Sequence, residues 1–253
     1  MRIKLALRMA PLALFLAVAC CGVSFAQGPS HGGEVNGGAF SSVGVGVQIS
    51  TLGVGIEADT PLVHHFNLRG GFNMFRYSRP ITNDGIQYQG SLRFQSVEAH
   101  LDYYFLGPLH VSPGILLYNG NSVSATAVVP GGQSFSLGGT SYQSSAADPV
   151  NGSGLIDFVR VSPTIMLGIG TLVPHNGRHF GYMAEIGAAY VGPANVVLSM
   201  AGSVCDPTGV NCRTIASDPT VQANIQAQQN KIQNDIYPYR FYPILSVGVG
   251  YRF

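Results

Sequence analysis

Apolar and polar residues alternate along much of the chain with a period of two. The final stretch, FYPILSVGVGYRF (241–253), shows the pattern most plainly. Phe241, Leu245, Val247, Val249, Tyr251 and Phe253 share one face. Tyr242, Ser246, Gly248, Gly250 and Arg252 mostly share the other. That period predicts a strand whose two faces meet unlike surroundings. Val43, Val45, Val47 and Ile49 repeat it on odd positions, then Leu52, Val54, Ile56 and Ala58 on even ones. The flip at Ser50-Thr51 leaves two readings open, a tight hairpin or one strand with a bulge. Next, Phe66, Leu68, Gly70, Phe72 and Met74 alternate with Asn67, Arg69, Gly71 and Asn73. A fourth strand is expected over about 87–105. Its apolar positions are Tyr88, Gly90, Leu92 and Phe94, and after a phase shift near Ser96 they become Val97, Ala99, Leu101, Tyr103 and Phe105. Further strands are expected at about 110–121, 155–172 and 179–201, the last kinked at Pro193.

Counting both members of the first hairpin gives eight strands. The expected connections near 61–63, 106–108 and 174–176 are short, while those at 78–85, 122–154 and 205–237 are long. Short and long alternate, as periplasmic turns and outer loops do in a transmembrane barrel. One segment breaks the strand pattern. Asp218 is a good N-cap and Pro219 suits the first helical position. Val221, Ile225, Ile232 and Ile236 then form a sparse apolar stripe. The sequence therefore predicts a helix over about 218–236, too polar to span lipid, packed on the barrel mouth or reaching into it.

Composition sharpens the class. The chain has 253 residues, 46% of them hydrophobic and 10% charged, against about 25% charged in ordinary soluble domains. Outside the N-terminus no apolar run approaches the ~20 residues of a spanning helix. A net charge of +1 gives no reason to expect a nucleic-acid partner. At the N-terminus, Arg2, Lys4 and Arg8 precede a short apolar core, Leu12 to Val18, and then a small-x-small site, Ser24-Phe25-Ala26. This predicts a signal peptide over 1–26. Lipoprotein processing at Cys20 is the rival. A flexible lead-in is expected over 27–41 and the barrel domain over 42–253. After cleavage, Cys205 and Cys212 are the only cysteines. They lie in a Gly/Pro/Asp-rich loop of an oxidising compartment, so a disulfide is expected.

The faces opposite the apolar ones carry Glu57, Asp59, Arg69, Arg93, Glu98, His100, Asp102, Arg160, Glu185 and Arg252. On a lipid-facing position an arginine costs ~2–4 kcal/mol at the midplane. Inside a barrel of eight strands these charges pair, in a space about wide enough for side chains. A polar network lining the interior is therefore expected, with a narrow conduit or ligand site as the alternative. No catalytic or metal-binding residues and no cofactor are expected. His64-His65 and His175/His179 fall at predicted turns without a serine–aspartate arrangement beside them. His100 with Glu98 and Asp102 suits a buried hydrogen-bond ladder better than a metal site. The glycines at 44, 46, 53 and 55 lie within strands and lack the helix a nucleotide loop needs.

Four stretches carry a family likeness: TLGVGIE (51–57), NLRGGFN (67–73), LDYY (101–104) and the last strand from Tyr242. With them the chain resembles the small outer-membrane β-barrel proteins of Gram-negative bacteria, an OmpA-like and OmpW-like group without a periplasmic domain. The resemblance implies an antiparallel barrel inserted by the outer-membrane assembly machinery, with Ser246, Gly248, Tyr251 and Phe253 as the signal read in the last strand. It implies outer-membrane lipid as surroundings and no catalytic residues. The reading of the whole sequence is an all-β, eight-stranded antiparallel transmembrane barrel with long outer loops and one short helix. Its expected role is non-enzymatic: structural, surface-exposed, or a narrow selective conduit. A transporter of small or hydrophobic solutes, a lipid-modifying barrel enzyme and a secreted soluble barrel are the rivals.

Overall fold

The computed structural model describes residues 39–174 and 178–253. The expected signal peptide, its cleavage site, the Cys20 alternative and nearly all of the lead-in lie outside those residues, as does part of the expected 174–176 turn. The described chain forms β1 (Gly44–Ser50), β2 (Gly53–Val63), β3 (Phe66–Asn83), β4 (Ile86–Leu106), β5 (Leu109–Asn119), β6 (Ser122–Val129), β7 (Ser134–Leu137), β8 (Thr140–Ser144) and β9 (Val150–Asp157). It continues through β10 (Ser162–Thr171), β11 (Phe180–Tyr190), β12 (Asn195–Ala201), β13 (Ser203–Cys205), β14 (Arg213–Thr214), α1 (Pro219–Ile236) and β15 (Phe241–Arg252).

Eleven of these strands make one antiparallel sheet and four short ones a second. Within the large sheet the pairings return on themselves. They run from β1 through β2, β3, β4, β5, β10, β11 and β15, and β15 pairs again with β1. A sheet closed in this way has no free edge along the circuit. The other three strands branch from β4, which pairs with β6 over 87–93 and with β5 over 96–106. The expected count of eight therefore falls short of the eleven strands of the sheet. The stretch 122–154, expected as a loop, holds β6 to β9. The expected strands at 155–172 and 179–201 each divide, the second next to Pro193. The expected 78–85 loop is likewise strand as far as Asn83, with the turn at Asp84-Gly85.

The first phase flip is a tight hairpin, with Ser50 opposite Gly53 and Thr51-Leu52 at the turn. Gly53 has φ +123°, and a Cβ there would sit 2.6 Å from the Met74 carbonyl oxygen, so the position takes no side chain. The second flip, near Ser96, has another cause. The β3–β4 register runs unbroken from Phe66↔Tyr103 to Asn83↔Ile86. Even-numbered residues of β4 thus stay on one side of the sheet throughout. From Ser96 to Asp102 that side is the barrel interior and is polar. From Ile86 to Phe94 it is the apolar floor of a second core.

This second core lies beyond the barrel, in a headpiece. Ile86, Val129 and Val150 from the branched sheet pack with Leu137, Tyr142, Val204, Ile215, Val221 and Ile225. The last two belong to α1, which begins where the sequence predicts. Asp218 Oδ1 accepts hydrogen bonds from Thr220 N (2.8 Å) and Val221 N (3.0 Å). The helix packs on the headpiece sheet, whereas the sequence placed it at the barrel mouth. The reason is that Val221 and Ile225 meet an apolar face the sequence had left unformed inside a loop. Two glutamines of α1 also bond the free edge of β12. Val196 N donates to Gln233 Oε1 (3.0 Å), Leu198 N donates to Gln229 Oε1 (3.2 Å), and Gln233 Nε2 donates to the Ala194 carbonyl. A disulfide joins Cys205, the last residue of β13, to Cys212 in the loop before β14.

Candidate functional site

The closed circuit puts one face of each strand inside. Arg69, projecting from β3, is fully buried there and is the hub of the interior. Its guanidinium bonds Asp102 of β4 through both oxygens (3.0 and 3.1 Å), Glu185 of β11 through both oxygens (3.0 and 2.5 Å), and Glu57 of β2 (3.1 Å). Three strands other than its own are thereby tied to one cation. A guanidinium suits this task because its donors are fixed in a planar fork. Glu185 also meets His110 Nε2 (3.1 Å) and accepts from Ser246 Oγ (3.3 Å).

A second set lies nearer the headpiece. Gln48 donates to Asn73 Oδ1 (2.9 Å) and to Glu98 Oε1 (2.7 Å), and Asn73 donates to the same Glu98 oxygen (2.9 Å). His100 Nε2 lies 3.1 Å from Thr164 Oγ1. At the opposite end Asn67 donates to Asp59 Oδ2 (3.2 Å). Glycines make room for the two imidazoles: a Cβ on Gly114 would overlap the His100 ring, and one on Gly168 the His110 ring. Above the polar layers, Leu52, Leu116, Met166, Ala189, Val191 and Ile244 form an apolar plug with Phe158 and Tyr242 against it. The space left between plug and charge cluster is about 10 Å³, bounded among others by Gln48, Arg69, Glu98, His100, Glu185 and Ser246. That is close to the smallest volume that holds one water.

The structure therefore brings together Glu57, Asp59, Arg69, Glu98, His100, Asp102 and Glu185, all buried inside the circuit. It places the other three elsewhere. Arg93 is exposed on the outer side of β4, where its Nη2 donates to Gln95 Oε1 (2.8 Å). Arg160 is exposed in the segment between β9 and β10. Arg252 is half-buried at the end carrying the chain terminus, where Nη1 donates to the Pro174 carbonyl (2.5 Å). Alternation alone puts Arg93 inward, because it opposes Leu92 and Phe94, which read as an outward apolar face. Between Ile86 and Phe94, however, that face is turned to the headpiece side of the sheet. Sequence reasoning missed Gln48, Asn67, Asn73, His110, Ser112 and Thr164. Asn67 and Asn73 share the face of Arg69, two and four residues from it, and that shared face is the signal in the sequence. His64 and His65 form the exposed β2–β3 turn, and His179 stacks on Tyr251 at 5.3 Å. Among the described residues no group of three His, Cys, Asp or Glu side chains is placed to hold a metal ion.

A closed antiparallel sheet with ion pairs inside and apolar side chains outside defines an all-β protein of barrel architecture. Two solved structures share the fold, Acinetobacter baumannii CarO and Acinetobacter baumannii CarO2. Each has 22% sequence identity and a TM-score of 0.52, and each match covers 84% of this chain and 98% of the other. No protein-family model matches the sequence, and neither does any curated relative.

Proposed function

We propose that the chain is a non-enzymatic outer-membrane β-barrel protein. In this reading the circuit of eight strands is the transmembrane unit and the headpiece stands on the cell surface. The role is structural or surface-directed, or that of a narrow selective conduit. One observation carries the reading: the outside of the circuit is apolar. Val45, Val47, Ile49, Val54, Ile56, Ile165, Leu167, Ile186, Val247 and Val249 are each more than half exposed or close to it, an arrangement that water penalises and lipid favours. Aromatic residues flank this band. Phe66, Tyr103, Phe105, Phe180, Tyr182, Tyr251 and Phe253 stand at one end, and Tyr118, Tyr190 and Phe241 toward the other. The pairs Phe180↔Tyr251 and Tyr190↔Phe241 are ten residues apart in the β11–β15 register. At ~3.3 Å per residue and a tilt of 35–45°, that spans about 25 Å, the height of a barrel's apolar band.

The same reading has the chain exported through its N-terminal signal and inserted by the barrel assembly machinery through Ser246, Gly248, Tyr251 and Phe253. The apolar plug and the bonded charge cluster favour the structural role over an open pore, because a conduit along this path would have to part both. Fractionation of expressing cells, with unheated and heated samples run on a denaturing gel, tests the reading. The expected result is an outer-membrane protein whose mobility shifts on heating. A periplasmic protein without a shift overturns it. Planar-bilayer conductance then separates a plugged barrel, expected to be silent, from a conduit.

A further inference from the structure

One of the arginines that the structure excludes from the interior, Arg93, stands beside a second outward arginine, Arg76. Arg76 of β3 and Arg93 of β4 are direct partners in the unbroken register. Both are exposed, and both lie on the lipid-side face: Arg76 is one outward step beyond Met74, and Arg93 is two beyond Val97, with Gln95 between. Neither has an ion pair among the described residues, and Arg93 donates to Gln95 Oε1 within its own strand. In register on the same face, the nearest carboxylate is Asp157, two strands from Arg93 and so about 10 Å away. Like charges directly opposite in a sheet destabilise it. Here two guanidiniums face each other at the height where the apolar band gives way to polar surface. A third exposed arginine, Arg160, lies at the same rim. Its carbonyl accepts from Asn119 N (2.7 Å), and Asn119 is paired with Ser96.

We propose that the Arg76–Arg93 pair is a binding site for the phosphate of an outer-leaflet lipid headgroup, with Arg160 at its margin. The assignment rests on the membrane reading above. Charge complementarity and position carry it: paired forks match phosphate oxygens bidentately, and the apolar band immediately below supplies the surface for the acyl chains. A phosphate between the two forks also removes the repulsion that the bare pair carries.

The test uses folded protein in detergent, first shown to be heat-modifiable, titrated in native mass spectrometry with diphosphorylated lipid A, phosphatidylcholine or inorganic phosphate. The expected result is a one-to-one lipid A adduct that phosphatidylcholine does not form. R76Q/R93Q is expected to weaken it about thirtyfold, since two arginines at an anionic surface contribute about 2 kcal/mol together. R79Q, on the opposite face of β3, leaves it unchanged. Should the double variant not fold, R93Q alone is expected to weaken the adduct about fivefold. Equal lipid A binding by wild type and the arginine variants overturns the site. Full competition by inorganic phosphate at equal concentration also overturns it, in favour of a free-anion site. A chain that shows no heat shift overturns the membrane reading and this site with it, whereas a heat-modifiable chain with indifferent adducts overturns the site alone.

Discussion

Strands β3 and β4 run through both the barrel and the headpiece, and on the way they exchange their apolar face. In the barrel, Leu68, Phe72, Val97 and Leu101 point outward, while Asn73, Glu98 and His100 point in. In the headpiece, Ile86 and Tyr88 point in toward Val129 and Ala127, while Gln87, Gln89 and Arg93 point out. Backbone, register and hydrogen bonding are continuous across the change. Only the surroundings differ, water around the headpiece and, in the reading proposed above, lipid around the barrel. A sheet in water hides its apolar face, whereas a barrel in lipid displays it and must spend its polar groups on one another. The two cores are therefore held by different physics, ion pairs in one and side-chain packing in the other.

The largest effect that sharpens this contrast is expected at Arg69. Replacing it with Met leaves Glu57, Asp102 and Glu185 buried without their cation and costs about 3–5 kcal/mol. Urea unfolding followed by the gel shift measures it. Replacing the whole ion-paired group with apolar residues of similar volume recovers most of that loss, because removing both partners spares the desolvation penalty. In the headpiece, Ile215→Ala opens a hole in a packed apolar core and costs about 2–5 kcal/mol. Its damage is expected to stay local, so limited proteolysis trims the headpiece while the heat shift persists.

A third comparison sets two outward positions against each other. Val249→Arg, on the barrel's outside, is expected to destabilise by about 2–4 kcal/mol, whereas Thr126→Arg, outward on the headpiece, stays within about 0.5 kcal/mol. Equal costs for the two would erase the distinction between the regions. The smallest effect concerns α1. Asp218→Ala removes the acceptor for two backbone amides and costs about 1 kcal/mol. Hydrogen exchange in the first turn of the helix is expected to quicken while that of β15 does not.

Much of the barrel is legible in the sequence because a period of two survives wherever one face is apolar and the other polar. The strands carrying Val45 to Ile49, Leu68 to Met74 and Leu245 to Tyr251 all announce themselves in this way. The interior cluster is legible wherever charge falls on the polar face, as Glu57, Arg69, Glu98 and Glu185 do. Gln48 and Asn73 carry no charge and pass unnoticed, although they bond Glu98 directly. The headpiece is where the pattern fails. A change of phase has two sources here, a turn of the chain or a change in what each face of the strand packs against, and both look the same in one dimension. At Ser50-Thr51 the source is a turn, and at Ser96 it is the passage of one face from the barrel interior to the headpiece core. The strands within 122–154 are rich in Ser and Gly and acquire their apolar partners from α1 and from β13, far along the chain. No local window contains that information.

The glutamines that lie along β12 imply a limit on size. Side chains four apart on a helix are separated by about 6 Å along its axis. Outward-facing amides on a strand recur every two residues, about 6.7 Å apart. The two rulers nearly agree, so Gln229 and Gln233 reach Leu198 and Val196 in succession. The mismatch of about 0.7 Å per repeat accumulates, and a helix keeps step with a strand for only a few repeats. A helix serves in this way as the last neighbour of a sheet only while the strand is short. β12, seven residues long, is within that range. Lengthening it would run the pair out of step and bare an edge on which foreign strands could grow.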